Sequence, residues 1–136
     1  MKALIFDVET TGLLPRNIEF TEKNIDLFPN IVQFSWIIYD YKKNKIYNVN
    51  DHIIKLNQNI PEETIKIHGI TNEKMHTQGV DIEIVLDLFT KDMLDCDVLV
   101  AHNLNFDKTM VAIEYLKNNR INWIGRHRKV EYCTMK

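Results

Sequence analysis

Residues 31–56 alternate between apolar and polar side chains, and this alternation limits the possible folds more than any other feature. A period of two is typical of a strand with one buried face. The polar run at 41–45 interrupts the pattern where a turn would connect two strands. The sequence therefore predicts an antiparallel hairpin over 31–56, whose first strand buries Val32, Phe34, Trp36 and Ile38.

The rest of the chain alternates strand and helix patterns around that hairpin. Lys2 to Phe6 reads as a short buried strand, and Leu13 to Asn30 reads as a connecting loop with a helical turn. Three strands followed by helix, strand, helix and strand predict an α/β fold with a mixed sheet. The later elements are helices within 61–78, at 82–93 and at 106–119, and strands at 97–101 and 130–134.

Length and composition favour a single domain within the cell. The chain has 136 residues, a formal net charge of −2 and a pI of about 6.2, so it lacks the overall basic charge of many nucleic-acid binders. Cys96 and Cys133 form no CxxC or zinc-ligand spacing. The N-terminal apolar run is short and contains Asp7, which argues against a signal peptide or membrane span. We expect an intracellular protein, cytoplasmic or in the nucleoid or nucleus, with no membrane partner.

An acidic pair follows the first apolar run. Asp7 and Glu9 are two residues apart on a strand, so both side chains point to the same face. Two carboxylates on one face repel each other unless a proton or cation lies between them, which favours a site for Mg²⁺ or Mn²⁺. The alternative is a solvated strand end followed by a turn in which Gly12 supplies an unusual backbone angle.

A second acidic motif, residues 102–107, lies where the strand at 97–101 leads into the next helix. Its Asp107 belongs to the first turn of that helix, and ordinary helix capping is the alternative explanation. If the two strands are neighbours, Asp7, Glu9 and Asp107 gather in one cleft. Three carboxylates there could hold two metal ions, which orient an attacking water and stabilise a leaving oxygen.

These motifs resemble those of the DEDD-type, DnaQ-like 3′-to-5′ exonucleases, a group that includes polymerase proofreading subunits. Phe6-Asp7-Val8-Glu9-Thr10-Thr11-Gly12 resembles the first motif of the family, and residues 103–107 resemble the second. Residues 60–62 and 67–71 resemble the segment between them. The resemblance implies an RNase H-like fold, a mixed β-sheet flanked by helices, and hydrolysis of phosphodiester bonds at the 3′ end of DNA or RNA.

The same resemblance assigns roles to individual residues. Asp7, Glu9 and Asp107 would be the catalytic carboxylates and the ligands of two Mg²⁺ or Mn²⁺ ions. His68 could instead be a surface histidine at a helix end, and Phe106 could belong to the core. The residues that would bind substrate are Thr10, Thr11, Gly12, His68, Asn103 and Phe106.

The family pattern has a third motif, His-x4-Asp or Tyr-x3-Asp, which supplies a general base and a fourth carboxylate. No aspartate follows Asp107, and His127 has Tyr132 at the required offset. His102 and Asp107 have the His-x4-Asp spacing, but Asp107 already fits the second motif. We therefore expect residues 1–136 to be one exonuclease domain that is incomplete at its C-terminus. Loss of the base costs about 10²- to 10⁴-fold in rate, so the chain alone should be weakly active or inactive.

Two other functions remain open at this point. One is a noncatalytic module that binds nucleic-acid 3′ ends on the same fold, and the other is an unrelated α/β domain in which the motifs are coincidental. Expected partners are single-stranded or 3′-terminal DNA or RNA, and a DNA polymerase. A basic stretch could guide phosphates, with Trp123 stacking on a base, but a solvated helix end explains it better. The basic stretch comprises Lys117, Arg120, Arg126, His127, Arg128 and Lys129.

Overall fold

A computed structural model describes residues 1–135 as a mixed sheet with helices packed on it, so Lys136 lies outside the described residues. A short 3-10 helix at Ile25–Leu27 interrupts the first long loop, as the sequence predicts. The strands are β1 (Lys2–Thr10), β2 (Ile31–Asp40), β3 (Lys45–Ile53), β4 (Val98–Ala101) and β5 (Val130–Cys133). The helices are α1 (Glu62–His68), α2 (Asn72–Gln78), α3 (Ile82–Leu94), α4 (Leu104–Lys117) and α5 (Trp123–Arg126).

The sheet has the order β3-β2-β1-β4-β5. The first three strands are antiparallel, as the hairpin predicts, whereas β4 runs parallel to both β1 and β5. The predicted α/β class with a mixed sheet is confirmed. Because β1 is central and β4 is its parallel neighbour, the carboxyl ends of these two strands meet at the same edge of the sheet.

The core lies between one face of the sheet and helices α3 and α4. Phe6 and Phe34 project from this face onto Phe89 of α3, with ring centroids 5.4 and 4.7 Å apart respectively. All three rings are almost completely buried, which accounts for the strong apolar period of the α3 sequence. The period-two pattern of β2 is also confirmed, because Phe34, Trp36 and Ile38 are buried in this core.

A smaller apolar cluster packs α1 and α2 against the N-terminal end of β2. It consists of Val32, Ile60, Ile70 and Met75. Helix α1 ends at Gly69, whose φ of 75° lies in the left-handed region that favours glycine. This cluster holds residues 60–78 beside the C-terminal end of β1. Within residues 1–135, no helix is both long and apolar enough to cross a membrane.

Several element boundaries differ from the predictions, and α5 lies where the sequence predicted no helix; two of the differences concern the acidic motifs. Strand β1 continues beyond Phe6 to Thr10, because β2 pairs with it along its whole length, with an irregularity between Glu9 and Thr10. The acidic pair therefore lies within the part of β1 that pairs with β2. Helix α4 begins at Leu104 instead of Phe106, since Asn103 adopts a left-handed conformation with φ of 61° and initiates the helix directly.

Candidate active site

Asp7 and Glu9 lie on the β1 face opposite the core, as the two-residue period predicts. Phe6 and Val8 are buried, whereas Asp7 is exposed and Glu9 is half-buried. Desolvation raises the pKa of Asp7, while the His102 charge and the Val8 backbone N–H oppose this shift. Desolvation also raises the pKa of Glu9, and the negative charge of Asp7 raises it further. The two carboxylates therefore repel each other across a shared space.

Asp107 joins this pair from the first turn of α4. Its Oδ1 accepts a hydrogen bond of 3.0 Å from the Val8 backbone N–H. Asp107 is only 2% exposed, and burial raises its pKa to about 7. The Val8 hydrogen bond opposes that rise, whereas the charges of Asp7 and Glu9 add to it. Asp107 thus binds β1 directly, and helix capping does not explain its position.

The donor chemistry of these three carboxylates fits Mg²⁺ or Mn²⁺, which prefer oxygen ligands. A cation would also relieve the repulsion that adds to the raised pKa values of Glu9 and Asp107. Their side chains do not form a preassembled cage, because residues 1–135 contain no group of three or more His, Cys, Asp or Glu positioned to hold a metal ion. Metal binding at these residues would therefore require the carboxylates to turn toward one another.

The turn after β1 is held by its own hydrogen bonds and by the loop before β2. Thr10 donates its hydroxyl to the Gly12 carbonyl over 2.6 Å. Thr11 donates its backbone N–H to the Asn30 carbonyl over 2.9 Å, and its Oγ1 accepts from the Asn30 N–H at 3.0 Å. The expectation that Gly12 supplies an unusual backbone angle is wrong, because its φ lies outside the left-handed region. A Cβ at Gly12 would meet nothing within 4 Å, so the space beside this turn is open.

His68 lies at the end of α1, beside this turn. Its Nδ1 accepts a 3.0 Å hydrogen bond from the Ile70 N–H, which leaves the ring proton of the neutral imidazole on Nε2. Burial lowers the pKa of His68, and the Thr10 backbone opposes that change. Nε2 is buried and has no hydrogen-bond partner among residues 1–135. His68 is therefore not an ordinary solvated histidine at a helix end.

Asn103 and Phe106 flank Asp107 in space as well as in sequence. The Asn103 carbonyl accepts from the N–H groups of Phe106 and Asp107 at 3.0 and 3.4 Å, which fixes the first turn of α4. The Asn103 side chain is exposed and makes no capping bond. Phe106 is partly buried against the main core, as its place in the apolar pattern suggested. This packing is a structural role for Phe106.

His102 is a neighbour of the carboxylates that the sequence pattern did not identify. The residue follows β4, and its Nδ1 lies 3.0 Å from Thr134 Oγ1 after β5. A positive charge on His102 lowers the pKa of Asp7, although burial raises it more strongly. The spacing of His102 and Asp107 matches that of a third motif, but it does not indicate a role for His102. The relevant feature of the sequence is that His102 directly follows the strand whose carboxyl end lies beside that of β1.

The proposed basic stretch is largely engaged in structural contacts. The Lys117 ammonium donates to loop oxygens, and Arg120 pairs with Asp87 over 3.2 Å. Lys129 donates to the carbonyls of Leu94 and Cys96. These contacts favour the structural explanation that the sequence suggested, rather than a phosphate-guiding surface.

Comparison with solved structures identifies the fold. E. coli Exonuclease I in complex with a dT13 oligonucleotide superimposes with a TM-score of 0.74 at 15% identity, over 97% of this chain and 27% of that chain. Exonuclease X in complex with 5′-overhanging duplex DNA gives 0.56 at 24% identity, over 79% of this chain and 52% of that chain. The mixed sheet flanked by helices is therefore the RNase H-like fold of these nucleases.

Sequence comparison gives the family. The family model described as Exonuclease, RNase_T, matches residues 4–134, and the chain belongs to this exonuclease family. The DNA polymerase III PolC-type of Ureaplasma parvum is 33% identical over 115 residues, which is 84% of this chain. That of Mycoplasma genitalium is 30% identical over 117 residues, which is 85% of this chain. The chain spans only 7% of the length of either relative.

Proposed function

We propose that this chain is a metal-dependent exonuclease domain that removes nucleotides from the 3′ end of DNA, with Asp7, Glu9 and Asp107 as its metal ligands. The observation that carries the proposal is the mutual repulsion of these three carboxylates at one edge of an exonuclease-family sheet. Burial raises the pKa of all three carboxyl groups, and the charge of Asp7 adds to the rise at both Glu9 and Asp107.

The side chains divide the chemistry between charge and orientation. Two bound Mg²⁺ or Mn²⁺ ions would supply Lewis-acid activation of water and stabilisation of the leaving oxygen. Asp7 and Glu9 would hold them from β1, while the Val8 N–H keeps Asp107 directed toward the same space. The raised pKa of Asp107 means that this carboxyl group must lose its proton before it can serve as a ligand.

The surroundings of the carboxylates supply groups suited to a terminal nucleotide. The buried Nε2–H of His68, which interacts with the Thr10 backbone, would donate to a substrate oxygen that enters beside Thr10, because Nδ1 already accepts from the Ile70 N–H. The open space beside Gly12 would admit the sugar or base next to the Thr10 and Thr11 backbone. Asn103 and Phe106 would form the opposite wall, at the start of α4.

The substrate and partner follow from the relatives. Exonuclease I is seen with a dT13 oligonucleotide, and the sequence relatives are PolC-type DNA polymerases III. We therefore infer that DNA is preferred over RNA, and that a replicative polymerase is the partner whose errors the domain removes. The intracellular location expected from the sequence is consistent with that role and stays a prediction.

A second candidate, a noncatalytic module that binds 3′ ends, has two observations in its favour. The described residues hold no preassembled metal cage, and no His-x4-Asp or Tyr-x3-Asp follows Asp107. Weak activity or none is therefore expected of residues 1–136 alone, which are proposed to be an incomplete exonuclease domain. Metal-dependent binding without turnover would favour this second function.

The test uses a single-stranded DNA oligonucleotide labelled at its 5′ end, with Mn²⁺ or EDTA. We expect Mn²⁺-dependent binding and slow shortening from the unlabelled 3′ end, both lost in Asp7→Asn. Asp81→Asn is the matched control, because Asp81 is exposed and its side chain makes no capping bond. An RNA oligonucleotide of the same sequence tests the sugar preference. A folded protein that binds no Mn²⁺ would rule out both functions.

A further inference from the structure

Lys117, at the last turn of α4, contacts the loop that supports the candidate nucleotide-binding turn. Its Nζ donates to the carbonyls of Phe28 and Pro29 at 3.1 and 3.0 Å, and to Asn30 Oδ1 at 2.8 Å. An ammonium group has three protons, so these three acceptors use its full donor capacity. Lys117 therefore joins α4 to three consecutive residues of the loop before β2, beside the packing of Phe28 in the core and the hydrogen bond of Glu114 to the Ile31 backbone.

The Lys117 ammonium group is buried, and an acidic side chain lies beside it. The side chain is only 14% exposed, and Glu114 Oε1 lies 3.9 Å from its Nζ. Burial lowers the pKa of Lys117, and the charges of Glu114 and Asp26 oppose that change. A buried ammonium group is retained at a cost in free energy unless its hydrogen bonds are complete, as they are here.

Asn30 transmits the contact to the turn. While its side chain accepts from Lys117, its backbone exchanges two hydrogen bonds with Thr11, of 2.9 and 3.0 Å. Thr11 follows Thr10, whose hydroxyl bonds the Gly12 carbonyl. The path from Lys117 to the turn thus passes through one residue, and each step is a hydrogen bond.

Helix α4 is consequently joined to the β1 segment at both of its ends. Asp107 in the first turn binds the Val8 N–H, and Lys117 in the last turn reaches Thr11 through Asn30. The N-terminal end of α4 contributes Asp107 to the candidate metal site. Its C-terminal end supports the turn at Thr11, three residues after Val8 on the same segment. Because α4 is a rigid rod between them, it sets the distance between the two parts of the site.

We propose that Lys117 is a positioning residue, which holds the turn of Thr10, Thr11 and Gly12 in register with the carboxylates. The nucleotide-binding part of this inference rests on the function proposed above, whereas the mechanical part rests on the hydrogen bonds alone. Loss of the Lys117 contacts should loosen the turn and weaken nucleotide binding, while the carboxylates retain their affinity for metal.

The test compares Lys117→Met with Lys129→Met. Lys129 is a matched control, because its ammonium also donates to two backbone carbonyls, those of Leu94 and Cys96, far from the turn. Amide hydrogen exchange of Thr11 is measured by NMR, and thymidine 5′-monophosphate and Mn²⁺ binding by calorimetry. Lys117→Met removes all three hydrogen bonds, and the loss of the one to Asn30, which leads to Thr11, should raise Thr11 exchange and the nucleotide Kd about tenfold each. The Mn²⁺ Kd should change less than about twofold.

The outcomes separate the two proposals. Equal Thr11 exchange in Lys117→Met and Lys129→Met would overturn the positioning role. If the wild-type chain binds no nucleotide but Thr11 exchange still responds to Lys117→Met alone, the mechanical link stands and the proposed function fails. Asn30→Ala removes the side-chain acceptor and keeps the backbone bonds to Thr11, so it serves if Lys117→Met does not fold. Unchanged Thr11 exchange in Asn30→Ala would likewise refute the link.

Discussion

Replacement of Asp107 by Asn should stabilise the metal-free protein at alkaline pH. Asn keeps the side-chain oxygen that accepts from the Val8 N–H, but it removes a charge that lies 2% exposed beside two other carboxylates. In the folded wild type, burial raises the pKa of Asp107 from 3.8 to about 7. At about 1.4 kcal/mol for each pH unit between those values, the ionised carboxylate costs up to about 4 kcal/mol.

The pH dependence has a definite sign. Between pH 3.8 and about 7 the folded state keeps a proton on Asp107 that the unfolded state has released. The free energy of unfolding of the wild type therefore falls as pH rises through this window, and the Asp107 contribution is constant on either side of it. The advantage of Asp107→Asn should be smallest near pH 4 and largest above pH 7.

Urea unfolding in EDTA at pH 4.5 and pH 8 measures this difference, with Asp81→Asn as the control for loss of an exposed carboxylate. Repeating the pH 8 experiment with Mn²⁺ should reverse the order, since a metal that binds only the folded wild type stabilises it by mass action. An Asp107→Asn variant no more stable than the wild type in EDTA at pH 8 would refute the electrostatic reasoning. An advantage that does not grow with pH would do the same.

Two glycines give a contrasting pair of predictions. Gly79→Ala should lower the free energy of unfolding by about 2–3 kcal/mol in urea titrations, because its Cβ would lie 2.3 Å from the Met75 carbonyl oxygen and 2.8 Å from Lys55 Cα. A decrease in the free energy of unfolding of less than about 0.5 kcal/mol would show that α2 shifts to accommodate the methyl group, and would contradict the prediction. Gly12→Ala should leave stability within about 0.5 kcal/mol, since its Cβ meets nothing within 4 Å. Unchanged thymidine 5′-monophosphate binding in Gly12→Ala would mean that the open space beside the turn is not used by the nucleotide.

Local patterns predicted most of the fold, because each pattern reports which face of an element is buried. The hairpin of β2 and β3, helix α3 and the parallel strand β4 all lie where apolar periodicity placed them. Their boundaries were less accurate, since pairing partners decide where a strand ends. Strand β1 runs on to Thr10 because β2 supplies hydrogen bonds that the sequence of β1 does not reveal.

The candidate site shows the same division. The two-residue spacing of Asp7 and Glu9 was enough to place both on one face, and the family motifs pointed to Asp107. The hydrogen bond between Asp107 and Val8 spans 99 positions of sequence, so no local pattern could report it. The spacing of His102 and Asp107 carries no third motif, yet in the folded chain the charge of His102 lowers the pKa of Asp7.

The sequence by itself determined the α/β class, the exonuclease family and the acidic residues at the centre of the site. These depend on periodicity and on short motifs, which are properties of neighbouring residues. Only the tertiary structure decided which groups are buried together, and hence which pKa values are raised and which cations are structural. In the sequence, Lys117 is one charge of a basic stretch. The fold buries its side chain against Asn30, which lies 87 positions earlier in the sequence. Burial and long-range pairing are set by the packing of whole elements, and that packing gives Lys117 its proposed role.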